Sequence, residues 1–339
     1  MIRYANIKDS ERIIDFIKNH WKFDHIFTQD KNLFEYMYLD KNNLNFVLSE
    51  TKNGSILSIL GFIKYSSVLR PNIFLALLKS VSKKNDGLKC LEFLINKKFN
   101  SISCAGIAPE VKNYYKFFNF EVGVMKKFII INPKFSDANN FKILKIKSNS
   151  FTQPTVDNNN FKIVLIRTLK QLTSTYSSLS NELPLSNSIN KSLDFFLKKY
   201  FYNPYYKYIF YKIKTPSGRF SSIIVMRVFK HAENSCLRII DVIGNVKNLS
   251  NVYYPLLDIL EKSNHEYLDC LIGGNDTSFF NHSGFIDVDK LDIVAPEYFE
   301  PFLREKKEIH YCSNSSYPYY IFRGDGDQDR PNILKKFDE

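Results

Sequence analysis

Between an apolar strand-like run that reaches Val81 and a helix-like run that starts at Leu88 lies Lys84-Asn85-Asp86-Gly87-Leu88-Lys89. The first N–H groups of a helix have no partner inside it, and with the helix dipole they favour anions such as a pyrophosphate. A glycine here lets a phosphate approach the backbone. Lys79 and Val81, at the end of the strand, complete this candidate cofactor-binding set. An ordinary strand-to-helix turn has the same composition, and a single glycine does not separate the two readings.

Three further groups could do chemistry. Asp241 stands in the apolar run Leu237-Arg238-Ile239-Ile240-Asp241-Val242-Ile243, so it must be paired, metal-bound, or at a strand end facing a cleft, where it is a candidate general base. Arg238, three positions away, points to the opposite face of a strand. Asp325, Asp327 and Asp329 begin like a calcium loop, but Arg330 stands where the turn glycine belongs and Lys336 where the bidentate glutamate belongs. A structural loop, or a clamp on sugar hydroxyls through Asp325, Asp327 and Arg330, fits better than a metal. His20, Trp21 and His25 form the third group, with histidine able to take a proton near neutral pH. They read either as substrate contacts or as a packed corner with Trp21 as its anchor. No histidine or cysteine spacing suggests zinc, and no metal is expected.

The elements that must carry these residues alternate. A strand Ile2–Ile7 leads to a helix with the stripe Ile13, Ile14, Phe16, Ile17, and a second helix covers 32–39. Strands 45–50 and 56–65 flank Asn53-Gly54 as a hairpin. Then follow strand 73–81, the helix carrying Leu88, Leu91 and Leu94, strand 101–107, helix 109–118 and strand 121–131. A polar stretch, 133–160, reads as a linker with one short strand at 143–146. From Phe161 the alternation resumes in the same order, which predicts a layered α/β or α+β architecture in each half.

The chain of 339 residues exceeds one ordinary core, and 44% hydrophobic content with 30 Phe and 21 Tyr is incompatible with disorder. No run approaches the length of a membrane span and no signal peptide opens the chain, so a cytoplasmic protein without membrane insertion is expected. Five widely spaced cysteines fit buried thiols in a reduced compartment. The net charge of +12 is scattered along the chain, and no nucleic-acid partner is expected.

Over residues 1–131 the order of elements, with Tyr114-Tyr115-Lys116-Phe117-Phe118-Asn119-Phe120 at the end, resembles the GNAT family of N-acetyltransferases. The family's pyrophosphate loop, Gln/Arg-x-x-Gly-x-Gly/Ala, falls on Lys84, Gly87 and Lys89, of which only Gly87 agrees. Its Tyr-x-x-x-Gly-Phe motif falls on Tyr115 and Phe120, with Asn119 in place of glycine. The resemblance implies that Tyr115 protonates the departing thiolate and that the segment with His20, Trp21 and His25 borders the acceptor. In the second half Gly284-Phe285 keep the same register without the tyrosine, and no phosphate-loop glycine follows Gly244. Longer segments, among them 202–208, 298–302 and 324–332, are similar to a tandem-GNAT family associated with bacterial surface-polysaccharide gene clusters.

The expectation is therefore an α+β chain of two tandem GNAT-like domains, each a mixed, mostly antiparallel sheet flanked by helices: 1–132 with a degenerate acyl-CoA site and 161–339 without a phosphate loop, joined by 133–160. The implied activity is transfer of an acyl group, acetyl above all, from acyl-CoA to a small-molecule primary amine such as an amino sugar nucleotide, alongside other polysaccharide-pathway enzymes. A donor on aminoacyl-tRNA or acyl-carrier protein, and a non-catalytic carbohydrate-binding or assembly role, are the alternatives.

Overall fold

The computed structural model describes residues 1–82, 84–135, 141–146, 154, 156–157, 159–182, 191–291 and 293–334. Much of the expected linker, as well as Lys336, lies outside them. The chain forms two compact units. The first contains 1–122, 310–316 and 325–339, and the second 123–309 and 317–324. This division differs from the expected boundaries at 132 and 161: the second unit begins at 123, and the last thirty residues are shared between the units.

In the first unit, β1 (Ile2–Asn6) leads through a 3-10 turn, whose Asn6 and Asp9 cap each other, to α1 (Ser10–His20). The one-turn α2 (Ile26–Gln29) and α3 (Lys31–Tyr38) follow. Strands β2 (Asn43–Glu50) and β3 (Ile56–Lys64) form the expected hairpin, with Gly54 at φ +81 supplying the turn. Next come β4 (Asn72–Ser80), α4 (Asp86–Ile95), β5 (Ser101–Ile107), α5 (Lys112–Phe117) and β6 (Glu121–Val124). Leu91 and Leu94 of α4, one turn apart, enter a core with Val47, Leu60, Leu75 and Ile102 of the sheet.

The expected strand 121–131 is two strands. It breaks at Met125, and β7 (Lys126–Ile131) belongs to the second sheet. The second unit continues with β8 (Lys162–Ile166), α6 (Leu169–Glu182), α7 (Leu193–Phe196), β9 (Ile209–Lys214), β10 (Phe220–His231), β11 (Asn234–Gly244), α8 (Tyr253–Ser263), β12 (Tyr267–Gly274) and β13 (Ile286–Asp287). The expected strand at 143–146 is the pair Lys145–Ile146, matched with Ile293–Val294.

The chain then returns to the first unit as β14 (His310–Ser313) and to the second as β15 (Tyr320–Phe322). The first sheet runs β1-β2-β3-β4-β5-β14-β6 and the second β8-β9-β10-β11-β12-β7-β13, with β15 also on β12. In each sheet a parallel pair, β4–β5 and β11–β12, stands between antiparallel neighbours. All five cysteines are free and buried. Among the described residues no helix is long and apolar enough to cross a membrane.

Candidate active site

Register irregularities on the two edges of β4 build the site. Ile59 pairs with Lys79 and Gly61 with Ala76, so Leu77 and Leu78 together oppose Leu60. Such a bulge leaves its extra residue outside the ladder and bends the strand, and Leu77 takes φ +50 to make it. On the other edge, β4 pairs with β5 only from Asn72/Ser101 to Leu75/Cys104. Beyond that point the two parallel strands part. The cleft bordered by this splay has a volume of about 550 Å³, and every residue lining it belongs to the first unit.

Helix α4 opens beside the splay. Its cap residue Asn85 is left-handed and makes no side-chain cap, and the Lys89 amide donates to the Asn85 carbonyl. The amides ahead of Lys89 therefore precede the helical ladder. Gly87 and Leu88 line the cleft, as does Lys79. A Cβ on Gly87 would meet Leu78 and Ser80 at 3.5 Å, an ordinary contact, so the protein's own packing does not demand glycine there. Asp86 is turned away and buried. Hydrogen bonds from Ser82 and Ser49, with Lys89 at 3.5 Å, hold its carboxyl below the usual range. Val81 spends its amide on Leu57, and Lys84 and Lys89 are exposed. None of these four lines the cleft.

Tyr115 projects from α5 to the cleft and is otherwise buried. Burial first, then the neighbouring thiols of Cys104 and Cys312, raise its phenol well above the usual value. Its hydroxyl is hydrogen-bonded to the Cys104 thiol, which burial, followed by the charge of Asp327, pushes up to about 12. Asn119 takes the left-handed φ of +61 that stands in for glycine, and this returns the Phe120 amide to the Tyr115 carbonyl at 3.0 Å. The Tyr115 and Phe120 rings meet edge to face at 5.5 Å.

The other wall comes from the segment after Gly324 and from Trp21. Asp327, Gln328 and Arg330 line the cleft. Gln328 donates to the Ala105 carbonyl at 3.2 Å, at the mouth of the splay. Arg330 donates to Asp327 at 3.2 Å and to Asn332 at 2.7 Å, with its guanidinium over Phe27. Trp21 is 41% exposed on this wall, so it is a surface of the cleft and not a core anchor.

Several expected site residues lie elsewhere. His25 does not take a proton near neutral pH. Burial first, then Arg330, drives it down to about 4, and its Nδ1 accepts from the Phe27 amide as the cap of α2. The proton therefore sits on Nε2, and the Arg330 nitrogen 3.4 Å away faces another donor. His20 ends α1 in solvent, off the cleft. Asp325 is buried and accepts from Tyr65 at 2.7 Å, a structural anchor. Asp241 is fully buried in the second unit. Both its oxygens take Lys191 Nζ at 2.7 Å, and Tyr200 and the Val242 amide donate to it as well. That carboxylate is satisfied within its own unit, and the notion of a base facing a cleft is corrected accordingly. Among the described residues no cluster of three or more metal-ligating side chains occurs.

The second unit has its own bulge, at Ile240, and its own splay, since β11 and β12 pair only as far as Ile239/Cys270. There the gap is filled. Ile272 pairs with Lys126 of β7 on one edge and with Phe322 of β15 on the other, so β15 takes up the edge of β12 that β11 leaves. Gly324 then donates to the Ile240 carbonyl at 2.7 Å, and a side chain there would meet Tyr200 and Ile240. The turn after β11 is capped by its own Asn245 side chain, in contrast to the uncapped α4.

No protein-family model matches the chain, and no curated protein matches it in sequence. Among solved structures, it is similar to a GCN5-related N-acetyltransferase from Anabaena variabilis, at 8% identity and a TM-score of 0.54, covering 92% of this chain and 72% of that one. It is also similar to a conserved Enterococcus faecalis protein of unknown function described as a probable N-acyltransferase, at 9% identity and a TM-score of 0.53 with the same coverage. At these identities the likeness is one of fold: two mostly antiparallel sheets flanked by helices, arranged as in GNAT-type proteins.

Proposed function

We propose that the chain is an N-acyltransferase that uses the cleft of its first unit to move an acyl group, acetyl above all, from acyl-CoA to a primary amine. The observation that carries this reading is the convergence, in one cleft, of an uncapped helix start at Gly87-Leu88, a backbone bulge at Leu77-Leu78 and the buried phenol of Tyr115. Donor pyrophosphate would meet the α4 amides, where helix charge and unpaired donors favour anions. The bulge would turn backbone donors toward the thioester carbonyl, whose oxygen gains charge as the amine attacks. Tyr115, kept protonated by burial, would hand its proton to the departing sulfur.

For the acceptor, the family resemblance points to an amino sugar nucleotide used for surface polysaccharide, in the cytoplasm. The half-exposed Trp21 offers an apolar ring face, and Arg330 a charge that suits such a substrate. The second unit, with its splay filled by β15, is assigned no donor.

Calorimetry with acetyl-CoA tests the reading. Wild-type protein should bind. Gly87→Val, whose added atoms the protein has room to begin accommodating but a phosphate does not, should bind at least about tenfold more weakly at an unchanged melting temperature. If wild type shows no binding, a carrier-linked donor or a non-catalytic role takes over. Equal affinity in the variant would move the donor away from α4.

A further inference from the structure

We propose that Asp327 is the catalytic base of this cleft, holding the acceptor's ammonium and taking its protons. The inference rests on the acyltransferase reading above and supplies the base that the sequence did not reveal. Among the described residues that line the cleft, Asp327 is the one carboxylate, and the other charged groups there are the cations Lys79 and Arg330. His25 is excluded by its committed Nδ1 and its place off the cleft.

The two oxygens of Asp327 are used unequally. Oδ2 accepts from Arg330 at 3.2 Å and lies 3.5 Å from the Tyr38 hydroxyl, whereas among the described residues Oδ1 has only the Gln328 amide at 3.5 Å, the outer limit of a hydrogen bond. An ionised carboxylate has about four acceptor positions. Asp327 is 6% exposed and lines the cleft, so the cleft is the route by which a donor reaches the unused positions on Oδ1. A donor arriving there, an ammonium most favourably, removes the cost of a half-satisfied buried charge.

Its placement is built. Gly326 packs so closely on Phe74 that a side chain there would clash, Tyr65 ties Asp325 and the Gly326 amide, and Gln328 is fastened to Ala105. These ties hold Asp327 near Cys104, whose thiol feels its charge and bonds Tyr115. Base and acid thus approach Cys104 from the two walls of the cleft. The ammonium gives its first proton to Asp327, which releases it to solvent. The freed nitrogen lone pair forms the C–N bond at the thioester carbon, and the C–S bond breaks as Tyr115 protonates the sulfur. The second N–H proton goes to Asp327 and, through solvent, restores Tyr115. The products are amide, free thiol and one proton.

The test uses full-length protein, acetyl-CoA and two acceptor probes, n-propylamine and hydroxylamine, with thiol release as the readout. Propylamine is an ammonium at neutral pH and needs the base. Hydroxylamine is uncharged, and its adduct loses a proton readily to water. Asp327→Asn should lower propylamine turnover about 10²-fold, with hydroxylamine turnover and acetyl-CoA affinity within a few-fold of wild type. Asp327→Glu keeps the charge beside Arg330 but displaces the carboxylate, and should lose about tenfold for propylamine alone. It carries the test if the asparagine variant fails to fold. Equal losses for both probes, or no loss, would overturn the assignment of Asp327. Wild-type protein that does not bind acetyl-CoA would overturn the acyltransferase reading instead.

Discussion

A phenol can protonate a leaving thiolate only while it still holds its proton, and Tyr115 does so because burial and two neighbouring thiols oppose a phenolate. Removing only the hydroxyl, Tyr115→Phe should reduce turnover about 10²-fold while acetyl-CoA affinity stays near wild type. Tyr114 lines the same cleft but is half-exposed, so Tyr114→Phe serves as the control. Comparable losses at both positions would assign the effect to packing. The motif around Tyr115 was legible in the sequence because its parts are local: tyrosine, a residue tolerant of positive φ four places on, then phenylalanine. Asp241 was not, because its partner Lys191 lies fifty positions away and nothing in an apolar strand says which distant cation will meet it. The titration of His25 was not legible for a related reason, since it is set first by burial in the folded chain and then by Arg330, far along the sequence.

At the level of elements, the hairpin and the strand-turn-helix around Gly87 could be read from turn residues and periodicity. The bulge at Leu77 and the parting of β4 from β5 could not, because a run of leucines has the same pattern with or without an extra residue, and pairing length is decided by partners. A further contact of this kind holds α1 to the sheet. Asp9 at its start and Glu50 at the end of β2 share Arg3 and Arg12 at 2.5 to 2.7 Å. The bond from Arg3 above all, against burial, brings Asp9 down to about 2. Burial of Glu50 opposes its ionisation, yet both arginines lower it overall. With native values below those of the unfolded chain, about 3.9 for Asp and 4.3 for Glu, the network contributes fully above about pH 4. It is lost as pH falls toward about 2. The melting temperature of wild type should therefore fall across that window, and Asp9→Asn should lie lower at pH 7 with a shallower acid limb. Parallel curves for the two proteins would sink the assignment.

For the whole molecule, the division of labour between units follows from where the last residues of the chain go. Strand β15 and Gly324 fill the splay of the second unit, whereas Asp327 and Gln328 stand at the mouth of the open one in the first. Composition and length announced two cores, but a chain that alternates between them after residue 309 has no local signature, since β14 and β15 are short strands like any other. This arrangement makes the Asp241–Lys191 pair a structural element of the second unit, and its energetics can be separated from catalysis. Removing one member of a buried ion pair leaves a charge without its counter-ion and costs about 3–5 kcal/mol, whereas replacing both with apolar residues of similar size costs far less. Lys191→Met should accordingly lower stability by that order, and Asp241→Leu with Lys191→Met should recover part of it. The recovery will be incomplete, since Tyr200 and the Val242 amide also lose their acceptor. Asp241→Asn should likewise lower the melting temperature. In every one of these variants that remains folded, acetyl-CoA affinity and the propylamine-to-hydroxylamine ratio should match wild type, because neither depends on the second unit's core. A selective loss of amine transfer in Asp241→Asn at wild-type stability would return Asp241 to the reaction.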